Sequence, residues 1–168
     1  MPIPVTSQYP PPKSWEEFES MCADLYTRVW QDEDTQKHGR QGQPQAGVDV
    51  YGQHDGKKYT GVQCKKKSVW PPTDLTISDI DEEVKKAKTW KPGLHHYIIA
   101  TTAPNDDKAQ AHVRELTKKH KRKGLFSVSI ASWDEIIRRL ASYPDVLKTY
   151  YPFADSRRCR GAESDYSG

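Results

Sequence analysis

Asp55-Gly56 lies between two short runs of alternating apolar residues, 48–51 and 58–65, and constrains the fold more than any other feature of the chain. An Asp-Gly pair in that setting signals a β-hairpin. The length of the turn then decides which side chains share a face, because a slip of one residue turns a whole strand over. A two-residue turn on Asp55-Gly56 pairs Asp49 with Val62 and leaves Gln63 on the other side. A three-residue loop over 54–56, with Gly56 left-handed, instead puts Asp49 on the face of Gly61, Gln63 and Lys65. It gathers Val48, Val50, Val62 and Cys64 opposite. Only this second register sorts both strands into an apolar and a polar side, so a carboxylate, an amide oxygen and an ammonium are expected to converge.

Upstream, Ser14 and Glu17 have capping-box spacing. Trp15, Phe18, Cys22, Leu25, Tyr26 and Val29 then recur at helical intervals, predicting a helix to about Trp30. Glu19 falls inside that apolar stripe, whereas Glu16 and Glu17 do not. A carboxylate there is costly to bury unless it is paired or bound to a cation. Residues 31–46 are polar and broken by Gly39, Gly42 and Pro44, with room for a short strand near 36–38.

Beyond the hairpin, Trp70-Pro71-Pro72 ends the second strand, and Ser78 is expected to cap a helix to Trp90 with Ile80, Val84 and Ala87 inward. A buried strand follows over 95–102. A helix from Asn105 to about Lys121 turns Ala109, either His112 or Val113, and Leu116 inward. Another strand covers 125–130, and Ser132 opens a helix carrying Trp133, Ile136, Ile137 and Leu140. Residues 144–150 can add a turn or two. This order predicts an α/β domain whose mixed sheet joins an antiparallel hairpin to later strands in parallel, with helices on both faces. The proline-rich residues 1–13 read as an extended arm, 14–153 as the domain, and 154–168 as a disordered tail or linker.

A chain of 168 residues is long enough for one domain with a real core. Its net charge of +3 is too small to indicate nucleic-acid binding by itself, although lysines cluster at 57–58, 65–67, 85–88 and 118–123. No apolar run reaches membrane-spanning length. Cys22, Cys64 and Cys159 lack metal-site spacing, and Cys22 and Cys64 fall on apolar faces, which suits reduced thiols in a cytoplasmic protein. No Walker-type phosphate loop is present, which argues against nucleotide hydrolysis.

Asp49, Gln63 and Lys65 are the residues with the clearest chemistry. Hard divalent cations take oxygen ligands, and Mg²⁺ usually needs only one or two carboxylates. A solvated polar face accounts for most such spacings, but the separate arrival of Glu19 on a buried face favours a site. Arg40, within Gly39-Arg40-Gln41-Gly42-Gln43, can meet a phosphate or belong to a plain polar loop. The basic run at 118–123 fits a solvated helix end favoured by the macrodipole. His95 and His96 read as structural, and Trp70, Trp90 and Trp133 as core or rim packing rather than base stacking.

Taken together, Phe18-Glu19, Gly47-Val48-Asp49 and Val62-Gln63-Cys64-Lys65 resemble the PD-(D/E)xK nuclease superfamily. The closer likeness is to its Mrr-like restriction-endonuclease branch, in which Gln replaces the acidic residue of the second motif half. With Gly39-Arg40-Gln41-Gly42-Gln43 ahead of it, the set is similar to the N-terminal effector nucleases of bacterial antiviral defence proteins. The motifs cover the stretch from Trp15 to about Thr102; later residues match in element order alone.

The resemblance implies a restriction-endonuclease-like core and Mg²⁺- or Mn²⁺-dependent hydrolysis of DNA, preferably duplex. Asp49 would be the central metal ligand, Gln63 would stand in for the usual acid, and Glu19 would complete the metal site. Lys65 would orient the attacking water and stabilise the charged transition state. Arg40, Gln43, Lys66 and Lys67 would contact the nucleic acid. Gln63 removes a charge that Glu19 has to offset, and Val48 stands where a proline is usual. A homodimer or higher assembly in the bacterial cytoplasm, away from membranes and linked to a sensor or NTPase module, is implied as well. Two rivals are a catalytically silent nucleic-acid-binding or assembly module of the same fold and an RNA-cleaving effector.

Overall fold

The hairpin forms, and its register differs from the expected one by an even step. A computed structural model describes residues 9–37, 46–54 and 58–152 of the chain. In it β2 (Val50–His54) pairs antiparallel with β3 (Lys58–Lys65), with Val50 opposite Val62 and His54 opposite Lys58. Three residues connect the strands, as expected, but they are 55–57 rather than 54–56. Because the slip is even, Val50 and Val62 still share a face. The backbone of Gly56 lies outside the described residues.

Ahead of that ladder the chain departs from simple alternation. Val50, Val62 and Cys64 pack on one side of the sheet, whereas Val48 packs on the other, with Val84, Tyr97 and Ile99. The expected grouping of Val48 with Val50 therefore fails, because the backbone turns over between them, at Asp49. Gly47 permits this turn: its φ is +69°, and a Cβ there would lie 2.9 Å from Lys86 Cβ and 3.0 Å from the Glu83 carbonyl oxygen. The buried Tyr97 hydroxyl donates to the Gly47 carbonyl at 2.6 Å and fixes the bend from below.

Two short edges and two crossovers complete the sheet. β1 (Gln36–Lys37) borders β2 antiparallel, while β4 (Leu94–Thr101) and β5 (Ser127–Ala131) follow β3 in parallel, giving the order β1-β2-β3-β4-β5. On one face lie α1 (Trp15–Trp30), α4 (Trp133–Ala141) and α5 (Pro144–Tyr150). On the other lie α2 (Ile77–Ala87) and α3 (Asp107–Arg122). The interior strand β4 is accordingly buried on both sides: Ile98 and Ala100 meet the first layer, Tyr97 and Ile99 the second. The structure is thus the α/β domain with a mixed sheet and helices on both faces that the element order predicts.

The helix starts follow local chemistry. Ser14 Oγ accepts from the Glu17 N–H at 3.2 Å. Helix α2 begins earlier than expected, because Thr76 rather than Ser78 is its cap. Thr76 and Asp79 each accept a hydrogen bond from the other's backbone N–H at 3.0 Å. In α3, Val113 turns inward, while His112 stays half-buried with Nε2 2.6 Å from Asp81. The end of the expected arm is packed, with Tyr9 against Tyr151 and its carbonyl accepting from Trp133 Nε1 at 3.1 Å. Residues 1–8 and the expected tail at 154–168 are outside the described residues.

Candidate active site

Asp49 has Glu19, Lys65 and Glu83 as electrostatic neighbours, drawn from the sheet and from both layers that flank it. Asp49 sits at the bend before β2, Gln63 and Lys65 lie at the C-terminal end of strand β3, and Glu19 comes from the buried face of α1. Asp49 is only 6% exposed and Glu19 8%, so neither carboxylate is a solvated surface group. The Cys64 N–H donates to Asp49 Oδ2 at 2.8 Å, and the Asp49 N–H donates to the Val62 carbonyl at 2.8 Å. Backbone on both sides of Gln63 therefore fixes the orientation of Asp49.

Lys65 is held from the opposite layer by a residue that sequence reasoning passed over. Its Nζ lies 2.5 Å from Glu83 Oε1 on α2, and Glu83 is 2% exposed. Lys67 Nζ meets Asp79 of the same helix at 2.7 Å. The two pairs match because two strand residues rise about 6.6 Å and four helical residues about 6 Å. Lys86 adds a second contact to Glu83 Oε1 at 3.4 Å. Lys66, between the two anchored lysines, forms no ion pair among the described residues.

The electrostatics of Asp49 follow from this crowding. Burial pushes its carboxyl up to about 6; the Cys64 N–H opposes that, the Glu19 and Glu83 carboxylates reinforce it, and Lys65 opposes it. Burial likewise raises Glu19, against the pull of Lys37. The folded chain thus holds a proton on Asp49 more tightly than the unfolded chain does. Stability supplied by that proton is present at low pH and is lost as pH rises from about 4 to about 6, by at most about 3 kcal/mol. Asp79 and Asp145, whose carboxyls are held low, act with the opposite sign. The clean measurement is therefore the difference in unfolding free energy between the parent and Asp49→Asn without metal. We expect the variant to gain steadily on the parent across that window; parallel curves would refute the shift.

A cation would relieve the polar frustration at this position. Glu19 Oε2 and Gln63 Oε1 are buried and have no hydrogen-bond partner among the described residues. Such atoms are expensive to leave unmatched. Carboxylate and amide oxygens, the donor types of Asp49, Glu19 and Gln63, are the hard ligands that Mg²⁺ or Mn²⁺ takes. Among the described residues, no three His, Cys, Asp or Glu side chains form a metal-binding group. A cavity of about 450 Å³ lined by Lys58, Leu94, His95 and Leu125 opens at the other end of β3 and shares no residue with this set.

The remaining expected contacts divide. Arg40 and Gln43 lie outside the described residues, and Lys67 is engaged by Asp79. Trp90 and Trp133 are buried as expected, but Trp70 is 88% exposed, which overturns the packing role expected for it. Among the described residues, nothing folds back over the turn that carries it. Glu83 carries the same sequence signal as Glu19: it falls three residues after Ile80 and four before Ala87, on the apolar side of its helix. No helix among the described residues is long and apolar enough to cross a membrane.

Comparison with characterised proteins and with solved structures gives no match. A restriction-endonuclease family model of the Mrr catalytic type does match, over residues 17–139, from the first turn of α1 to the last turn of α4. That span covers well over half of the chain and contains Glu19, Asp49, Gln63, Lys65 and Glu83. The chain belongs to the restriction endonuclease family, in the Mrr-like branch of the PD-(D/E)xK nucleases.

Proposed function

We propose that the chain is a metal-dependent endonuclease that hydrolyses phosphodiester bonds of duplex DNA. The observation that carries this reading is the buried Asp49 carboxylate, oriented by the Cys64 N–H and neighboured by Glu19, whose Oε2, like Gln63 Oε1, is buried without a hydrogen-bond partner among the described residues. Glu19, Asp49 and Gln63 would hold Mg²⁺ or Mn²⁺. When bound, the ion would supply a Lewis acid for a phosphate oxygen and a more acidic water. Lys65 supplies the positive charge that meets charge developing on the phosphate, and Glu83 fixes where its ammonium sits. Gln63 keeps the donor charge at two carboxylates, a sensible number beside the third, lysine-neutralised carboxylate of Glu83.

In this reading the chain acts in the bacterial cytoplasm as the effector part of an antiviral defence system, as a dimer or larger assembly linked to a sensor or NTPase module. The resemblance of residues 39–43 and of the three motifs supports that setting. Duplex DNA, single-stranded DNA and RNA assayed side by side test the chemistry. We expect duplex cleavage with Mg²⁺ or Mn²⁺, abolished by a chelator and restored by excess metal. Cleavage confined to RNA would assign the RNA effector instead. Salt-sensitive binding with no metal-dependent cleavage at any protein concentration would assign the silent module.

A further inference from the structure

We propose that Trp70 is a nucleic-acid contact, an aromatic tip that stacks on a base next to the cleavage site. The proposal rests on the nuclease reading and goes beyond it. Trp70 is 88% exposed and Val69 62%, an unusual display of apolar surface five residues after Lys65. A tryptophan in water forfeits the burial that normally stabilises it. Here the scaffold enforces that exposure. The Ser68 N–H donates to Thr73 Oγ1 at 2.8 Å, and the Thr73 N–H donates back to the Ser68 carbonyl at 3.1 Å. The turn is anchored on its near side by the Lys67 N–H, which donates to Thr102 Oγ1 at 2.7 Å, and on its far side by buried Leu75. Trp70 is therefore presented by a tied turn rather than left on a loose loop.

Charge selects the occupant. The turn follows a run of three lysines in which Asp79 neutralises Lys67 and Glu83 holds Lys65, leaving Lys66 without an ion-pair partner among the described residues. A nucleic acid offers both things this surface lacks, a phosphate for Lys66 and a π face for Trp70. The exposed Asp74 on the far side of the turn disfavours phosphate there, so the strand would lie toward the Lys66 side. Stacking of this kind is tolerant of sequence and favours unstacked or distorted bases.

The test uses the full chain with Asp49→Asn, so that binding is read without cleavage. Anisotropy of labelled duplex and single-stranded oligonucleotides gives affinity, and light scattering gives the mass of the chain. We expect Trp70→Ala to weaken binding about ten-fold, Trp70→Phe to retain most of it, and thermal stability to stay unchanged. Tryptophan emission should be quenched on binding in the parent and much less in Trp70→Phe. Affinity unaltered by Trp70→Ala, with binding and metal-dependent cleavage by the unaltered chain intact, overturns this proposal and leaves the nuclease reading standing. A change in assembly mass instead of affinity also overturns it, since the tip would then serve a protein contact. Failure of the unaltered chain to bind or cleave any nucleic acid overturns both.

Discussion

An Asp49→Asn chain should lose at least about 10³-fold in cleavage rate while folding more stably than its parent above pH 6. The two halves of this result have one cause. Asp49 is a carboxylate kept 6% exposed beside Glu19 and Glu83, and without a cation it is a liability to the fold. Asparagine keeps an oxygen for the Cys64 N–H and removes the charge. It also removes the strongest anionic donor of the candidate metal set, which several kcal/mol of metal-assisted charge stabilisation require. Parallel denaturation curves and nicking assays read both quantities on one sample. Mg²⁺ should stabilise the parent and not the variant, in proportion to occupancy. A variant that is both inactive and less stable at pH 7 would mean that Asp49 holds the fold rather than the ion.

Much of this site was legible because burial patterns and chemistry conflict in the sequence itself. Glu19 stands out on an apolar stripe, and the hairpin signal brings Asp49 near Gln63 and Lys65. Glu83 would have emerged from the same test, since Ile80, Val84 and Ala87 frame it on the inner side of α2. At the start of that helix Thr76 outcompetes Ser78, because Thr76 has an acidic partner at the reciprocal position, Asp79.

Other features depended on tertiary contacts that no local pattern encodes. Alternation assumes a continuous strand, so it placed Val48 with Val50. The close approach of Gly47 to α2 turns the backbone over and reverses Val48. The Asp-Gly pair identified the loop but not which of its neighbours pair, and parity alone kept Val50 on the face of Val62. The strand-end position of Trp70 reads as core or rim packing, yet the residue is 88% exposed. Whether anything covers a given turn is a property of the whole fold.

Lys65→Met should cost roughly 2–3 kcal/mol of stability as well as the activity, less than the 3–5 typical of a fully buried broken pair. The reason is asymmetry within the Lys65–Glu83 pair: the lysine side chain is 29% exposed and the glutamate 2%. Removing the lysine strands a buried carboxylate whose other partner, Lys86, lies farther away at 3.4 Å and is 49% exposed. Removing the carboxylate charge with Glu83→Gln leaves an ammonium that can reach water, so its stability cost should be only about 1 kcal/mol. Its cleavage rate should still fall by roughly 10–100-fold, because Lys65 loses the contact that positions it. A combined Lys65→Met, Glu83→Met chain then separates the roles: stability returns toward the parent, because no buried charge remains, and activity does not. Urea denaturation of the four chains supplies the comparison, with cleavage measured at matched folded fractions. If the double variant is no more stable than Lys65→Met, the carboxylate was never stranded and the pair is incidental. If Glu83→Gln cleaves at the parental rate, Glu83 does not position the lysine and α2 contributes only packing.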